Sequence, residues 1–257
     1  METQEHPDEV KTESPIFTAL QNSRRRSVLA ILIDRNSKLS LRELATTLTT
    51  RDRNIPVVYA PPDDTQRIRL DLRHTHLPVL EDCGFITWEP DEELITTTDH
   101  VALSDPRFRR ILDLGNEEVD AVLAGLANNR RRLLLAILRD RQEPVSRTTL
   151  AREIIQWERG NLQPPQSTFD EIKISLLHTH LPKLGDAGIV EYDTEVDHVA
   201  YTGDPVFERI LAIFHGPDSR LLKKVDGFLG GLLTSYRQAS TSEPFDWPTS
   251  WRTPYHG

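Results

Sequence analysis

Cysteine, methionine and lysine are all scarce in this chain. Of 257 residues, one is cysteine (Cys83), one is methionine (Met1) and six are lysine, the other 25 basic residues being arginine. A single cysteine excludes an intramolecular disulfide and any zinc site built on cysteines. No apolar run approaches the ~20 residues of a membrane-spanning helix, and the acidic N-terminus does not resemble a secretory signal. We therefore expect a cytoplasmic protein without a membrane partner.

The charge balance is acidic. The 40 aspartates and glutamates outnumber the 31 lysines and arginines, which gives a formal net charge of −9. Such a chain has no overall attraction for nucleic acid, so any DNA binding must come from a local basic patch. Hydrophobic residues make up 37% of the chain and charged residues 28%, which is typical of a globular domain.

An internal repeat is the strongest feature of the sequence. Residues 20–32 match 126–138 at a constant offset of 106, including a triplet of arginines in each copy. At an offset of 104, the pattern His-Thr-His-Leu-Pro at 74–78 recurs identically at 178–182. We also align Asp-His-Val-Ala at 99–102 with 197–200, which predicts a β-hairpin six residues longer in the first copy. The order of these matches indicates a duplication.

Each copy is predicted to contain three helices, a β-hairpin and a final helix. Asn22 or Ser23 is suited to capping the first helix and Ser40 the second. A third helix is expected over 65–82, with Gly84 just beyond it in a left-handed conformation. The expected strands are 85–88 and 95–103, and Pro106 is expected to open the last helix.

These motifs resemble those of a known family. The arginine triplet with its Val-Leu-x-Ile-Leu, then Ser-Leu-x-Glu-Leu-Ala, then His-Leu-Pro-x-Leu-x-x-x-Gly-Phe-Ile, are similar to arsenic-repressor-type winged helix-turn-helix regulators. The resemblance is closest to a haloarchaeal winged-helix family of unknown function with a His-x-His-Leu-Pro-x-Leu pattern. The acidic, arginine-rich composition is also typical of salt-loving archaea, although a GC-rich genome would favour arginine as well.

The resemblance implies a mainly α fold with small β-wings (α+β), in which two winged helix-turn-helix modules stand in tandem. We name them module one (15–114) and module two (118–215). An acidic, disordered tail (1–14) is expected before them, and an amphipathic helix (218–236) and a flexible, aromatic-containing tail (237–257) after them. The aromatic tail is a candidate binding segment for a protein partner.

Arginines supply the candidate DNA contacts. The third helix of module one carries Arg67, Arg69 and Arg73, whereas module two has Glu171, Lys173 and Leu177 at the same places. Arginines of the first triplet could contact phosphates. They could equally pair with acids of their own module and lay their stems on apolar surface. The candidate DNA-binding residues are Arg67, Arg69, Arg73, Arg24 and Arg25.

Helical geometry makes base readout by the third helix less convincing. Steps of 100° per residue place Leu70, Leu77 and Leu80 on the core side and Asp71 and Asp82 among the outward residues, where carboxylates repel phosphate. Prolines at 78 and 182 should make this helix kink or restart.

We expect no metal site, no cofactor and no enzyme activity. The His-x-His spacing points the two side chains about 200° apart on a helix, whereas one metal ion needs ligands at i, i+3 or i, i+4. Boundary histidines are the favoured interpretation, including for His100 and His198 in the wing. The sequence contains neither a phosphate-binding glycine loop nor a nucleophile motif.

The apolar stripe of the C-terminal helix is a candidate homodimer interface, with packing on the second module as its alternative. Its residues are Leu221, Val225, Phe228, Leu229 and Leu232.

The sequence leaves two functions open. One is a DNA-associated transcriptional regulator that binds double-stranded DNA through module one. The alternative is a non-catalytic protein-interaction scaffold that uses the winged-helix fold without DNA readout.

Overall fold

The structure is a computed structural model that describes residues 13–115, 117–141, 143–159 and 165–215. The predicted helix at 218–236, its five candidate interface residues and the tail at 237–257 lie outside these residues, as does most of the N-terminal tail. In the described ranges, every helix is too short or too polar to cross a membrane.

Each module is built from six α-helices and three short strands. Module one contains α1 (Pro15–Leu20), α2 (Ser23–Arg35), β1 (Leu39–Ser40), α3 (Leu41–Arg53), α4 (Pro62–Asp71), α5 (Leu77–Asp82), β2 (Ile86–Glu89), β3 (Leu94–Thr97) and α6 (Pro106–Leu112). Module two contains α7 (Glu117–Leu126), α8 (Asn129–Arg141), β4 (Val145–Ser146), α9 (Arg147–Arg159), α10 (Gln166–Ser175), α11 (Leu181–Asp186), β5 (Val190–Asp193), β6 (His198–Tyr201) and α12 (Pro205–His215). The expected α+β class and the two repeated modules are confirmed.

The helix ends follow the capping residues of the sequence. The Asn22 side chain accepts hydrogen bonds from the amides of Arg24 and Arg25, at 3.0 and 3.2 Å. Ser40 and Glu43 form a reciprocal capping box at the start of α3. Gly84 has φ +79° directly after α5, where a side chain would be strained. The predicted caps and the predicted glycine turn are thus confirmed.

The third helix is interrupted in both modules by one π-helical turn. This turn covers Leu72–His76 in module one and Leu176–His180 in module two, and α5 and α11 restart immediately before a proline. The π turn contains one more residue than an α turn, so the positions before it that face the core are shifted by one residue along the sequence. The assignment of Leu70 to the core was therefore wrong: Leu70 is 49% exposed, and Leu72 is fully buried in its place.

The two hairpins are equal in length, which corrects the predicted alignment of the wings. Strands β2 and β3 match β5 and β6 at a single offset of 104, so that Glu93 corresponds to Asp197. The extra residues of module one instead form a 3-10 turn at Val101–Ser104, between the hairpin and α6. Hence His100 caps this turn through its Nδ1 and does not lie in a strand, whereas His198 does lie in β6.

Each sheet is antiparallel, with its first, short strand next to the last. The order is β1-β3-β2 in module one and β4-β6-β5 in module two. The hairpin packs over α5 or α11, and its inward residues, among them Ile95 and Val199, are fully buried. Apolar residues from both modules join in one continuous core.

Equivalent helices of the two modules pack against each other. Helix α1 contacts its counterpart α7, and α6 contacts its counterpart α12. The ring of Phe17 in α1 meets that of Phe214 in α12 edge-on, with centroids 5.8 Å apart. The amide of Ser14 donates to the carbonyl of Ala127 at 2.8 Å. Contacts between like elements are typical of a two-fold dimer, so the chain resembles a homodimer fused into one polypeptide.

This pairing predicts how an isolated module behaves. A fragment of residues 1–115 leaves the apolar sides of α1 and α6 without α7 and α12. We expect it to be a self-associated dimer, in which a second copy replaces module two, or to be largely unfolded. Size-exclusion chromatography with light scattering and circular dichroism would measure this. A fully folded monomer would contradict the interdependence of the modules.

Candidate functional site

The arginine triplets are connections within the fold. Arg25 donates from Nε to the carbonyl of Ala19 at 3.1 Å and from Nη2 to that of Thr18 at 2.7 Å. Arg26 donates to the carbonyls of Leu20 and Leu114 at 2.8 and 2.9 Å. The last carbonyls of a helix lack partners within the helix, and they form the negative end of its dipole. The two guanidinium groups therefore complete the C-terminal end of α1.

Module two repeats this arrangement. Arg131 donates to the carbonyls of Gly125 and Ala124 at 2.7 and 2.8 Å, and Arg132 donates to those of Leu126 and Ala127. The first arginine of each triplet pairs with an acid instead. Arg24 lies 2.8 Å from Asp52, and Arg130 contacts Glu158 through two bonds of 2.6 and 3.0 Å. Both ion pairs are related by the offset of 106.

These contacts bear on two of the candidate DNA-binding residues. Arg25 is buried, and its burial lowers the pKa of its guanidinium. Arg26, which is 1% exposed, also forms an ion pair with Asp120 of α7 and so joins the two modules. Arg24 is more accessible, but Asp52 engages it. A phosphate that bound to Nε or Nη2 of Arg25 would have to displace the carbonyls of Ala19 or Thr18 in α1.

The remaining candidates lie on α4 and the following π turn, and two of them share one carboxylate. Arg69 and Arg73 are 3.2 and 3.3 Å from Glu93 at the tip of the hairpin. Arg67 is 79% exposed and 3.4 Å from Asp64, which also pairs with Arg53. Each pair of arginines thus surrounds one acid, and only the Arg67 guanidinium projects largely into solvent. The structure brings Arg69 and Arg73 together at Glu93, whereas Arg67 lies beside Asp64.

Several carboxylates lie at the tip of the hairpin in each module. The tip of the first hairpin carries Glu89, Asp91, Glu92 and Glu93, and the second carries Asp193, Glu195 and Asp197. Arg147 lies 2.9 Å from Asp197, so its charge is used within module two. The hairpin tips are therefore acidic in both modules, whereas a phosphate backbone requires cations at its contacts.

The paired histidines separate into one buried and one exposed residue. His76 and His180 are each 5% exposed, whereas His74 and His178 face solvent. The Nε2 atom of His76 lies 3.0 Å from Oδ2 of Asp71, and Ser175 replaces that acid in module two. In the described ranges, no group of three or more metal-ligating side chains forms a cluster.

An exposed surface is common to both modules, and sequence reasoning missed it. It consists of Leu70, His74 and Thr75 in module one and of Ile174, His178 and Thr179 in module two; we call these the twin helix faces. Leu70 and Ile174 are 49% and 59% exposed. None of the six side chains has a hydrogen-bond or ionic partner in the described part of the chain. The signal was present in the repeat, since His-Thr was identical, but the helical wheel placed Leu70 in the core.

Fold and surfaces together define an α+β protein made of two repeated modules. The model of a family described as a domain of unknown function (DUF7344) matches residues 17–96 and again 123–200. The chain therefore belongs to this family and carries its domain twice. No curated protein and no solved structure matches the chain.

The buried arginines predict a large difference between neighbouring substitutions. Arg26→Met removes the donor to two buried carbonyls and to Asp120, so we expect a loss of about 2–4 kcal/mol in the free energy of unfolding. Arg24→Met, the control, breaks a partly exposed ion pair and should cost at most about 1 kcal/mol. Urea denaturation measures both. Equal losses would show that Arg26 does not join the modules as described.

A second prediction concerns acid stability. Burial, followed by the charges of Arg131 and Arg130, lowers the pKa of His180 to about 4. In the unfolded chain the imidazole titrates near ~6.5. As the pH falls from about 6.5 to 4, the unfolded state binds a proton that the folded state does not bind. The free energy of unfolding therefore decreases by up to about 3 kcal/mol. Above about pH 6.5 this contribution is constant.

His180→Gln should therefore flatten the decline in stability between pH 7 and 4.5, as measured by urea denaturation at each pH. His178→Gln alters the exposed histidine of the same motif and should leave the decline unchanged. The prediction fails if both variants follow the wild-type curve.

Proposed function

We propose that the chain is a non-catalytic binding protein whose twin helix faces contact a partner protein. The observation that carries this proposal is the repetition of exposed residues that the fold does not use. In the His-Thr-His-Leu-Pro-x-Leu segment, the second histidine and both leucines are buried, and the proline follows the π turn. The first histidine and the threonine have no such role, yet both modules keep them.

The chemistry around these faces favours protein over nucleic acid. Each face has an apolar centre, Leu70 or Ile174, beside polar groups, which is the composition of a protein interface. Although the exposed Arg67 lies one helical turn before Leu70, acids adjoin both centres: Asp71 in module one, Asp170 and Glu171 in module two. Together with the acidic hairpin tips, they would repel phosphates and attract lysine and arginine. The expected partner therefore presents an apolar patch with a basic rim.

The topology supports a scaffold derived from a DNA-binding fold. The order of helix, short strand, helix, helix and hairpin, with the first strand beside the last, supports the winged-helix resemblance that the sequence motifs suggest. In that arrangement α4 and α5 occupy the place of the recognition helix. We propose that this helix has kept its exposed position and contacts protein instead of a DNA groove, a change that a shared fold permits.

A site-specific photo-crosslinker tests the proposal in the cells that produce the protein. A photo-reactive amino acid replaces His74 in one chain and His178 in another, and a third chain carries it at the exposed Asp113 as a control. We expect positions 74 and 178 to capture the same protein, identified by mass spectrometry, and position 113 not to capture it. Leu70→Ser with Ile174→Ser should abolish capture from both positions without lowering stability, since both side chains are exposed.

DNA binding is the second candidate, because Arg67 is largely exposed and Arg69 and Arg73 are partly exposed in the same segment of the chain. Replacing all three by alanine should then weaken binding of genomic duplex DNA and lower the slope of its salt dependence by about one unit per lost phosphate contact. Lys173→Ala, in module two, serves as the control. Recovery of DNA but no protein from positions 74 and 178 would favour this candidate over the scaffold.

A further inference from the structure

Module one carries a groove with two arginines on its walls. It lies between the C-terminal ends of α2 and α3 and has a volume of about 600 Å³. Its apolar surface comes from Ile31, Ile55 and Pro56, and two arginines, Arg35 and Arg51, stand on its walls. This volume lies within the range of binding clefts for small molecules and short peptide segments.

The two arginines of this groove are not neutralised by ion pairs. Neither Arg35 nor Arg51 has a salt bridge within the described residues, and both side chains are exposed. Asp34, the acid that lines the groove, is engaged by Arg109 at 2.6 Å. Hydrogen bonds of 2.7 and 2.9 Å from the hydroxyl and amide of Ser40 hold the carboxylate of Glu43 and are the main cause of its lowered pKa, to which the charge of Arg35 adds less. The groove therefore offers positive charge beside an apolar floor.

In module two the counterpart of Arg35 is paired with an acid. Arg141 corresponds to Arg35 at the offset of 106, and it forms an ion pair with Glu153 of α9. In module one Thr47 occupies the place of Glu153, and its hydroxyl donates to the carbonyl of Glu43 at 2.8 Å. Trp157 replaces the second arginine. One substitution thus leaves Arg35 open in module one.

Apolar side chains continue from this groove onto the surface. The 3-10 turn Val57–Tyr59 follows Pro56 directly, and its three side chains are between 64% and 80% exposed. An occupant that covers the groove could therefore also bury apolar surface beside it, which favours a segment several residues long over a single small anion.

We propose that this groove binds an acidic peptide segment of a partner protein, with an apolar side chain on the floor and flanking carboxylates on Arg35 and Arg51. Charge complementarity decides the class of occupant, because guanidinium groups pair well with carboxylates in a bidentate geometry. The site is separate from the twin helix faces, so the two proposals succeed or fail independently. The chain would then use one acidic-peptide site and two faces for a basic-rimmed partner.

Nuclear magnetic resonance of the full, isotope-labelled chain tests this site with a defined probe. The probe is an acetylated and amidated hexapeptide, Glu-Glu-Leu-Leu-Glu-Glu, and the comparison peptide is Gln-Gln-Leu-Leu-Gln-Gln. We expect saturable shifts of the amides of Thr47, Thr50 and Ile55 with the acidic peptide, and a dissociation constant about fivefold or more higher for the neutral one. Equal binding of both peptides, or no shift at these amides, would overturn the proposal.

Thr47→Glu is the decisive variant, because it builds into module one the ion pair already found in module two. It should neutralise Arg35 and weaken probe binding by about fivefold or more while the protein stays folded. Thr46→Glu adds the same charge one residue away on α3 and controls for the change in net charge. Arg35→Gln with Arg51→Gln should reproduce the loss without adding an acid.

If Thr47→Glu binds the acidic probe as tightly as the wild type, the assigned contact is wrong. Inorganic phosphate supplies the last comparison. Phosphate that displaces the peptide at equal concentration would identify a simple anion site and overturn the assignment to a peptide segment.

Discussion

The fold depends on guanidinium groups that close the ends of helices. Arg25 and Arg26 donate hydrogen bonds to the carbonyls of Thr18, Ala19 and Leu20. The amide of Gln21 donates to the carbonyl of Phe17, so the last four carbonyls of α1 all have partners. Cations at the start of α2 oppose the dipole of that helix, and the same charges face the negative end of α1. Hence each arginine is placed by the junction of two helices and belongs to neither alone.

These junctions also join the duplicated halves. Arg26 donates to the carbonyl of Leu114 at the end of module one and pairs with Asp120 of module two, while α1 packs on α7 and α6 on α12. The helices in contact are counterparts. Each module therefore uses the same surface, formed by its first and last helices, to pack against the other module. The twin helix faces then belong to modules that share one core, and a partner with two matching sites could engage both with an advantage in effective concentration.

The sequence predicted the elements well where side chains act locally, as at the caps Asn22 and Ser40 and the turn at Gly84. It failed where geometry departs from an ideal repeat. The π turn moved the core position from Leu70 to Leu72, which no wheel of 100° steps can anticipate. The recurrence of Asp-His-Val-Ala suggested that the two segments are equivalent, but the strand register aligns Glu93 with Asp197 instead. The helical spacing of Val119, Val122, Leu123 and Leu126 is sufficient to predict helix α7. The role of Arg25 as a donor to carbonyls could not be predicted in the same way, because those carbonyls belong to the preceding helix α1.

Fusion of the two modules has a consequence for stoichiometry. In a homodimer of identical subunits, a groove such as that beside Arg35 would occur twice, and its occupants would be related by symmetry. Here Thr47 stands where module two has Glu153, so Arg35 has no ion pair within the described residues whereas its counterpart Arg141 has one. If the groove beside Arg35 binds its proposed occupant, a complex assembled on this protein has a direction, because the two modules present unlike charges to their partners.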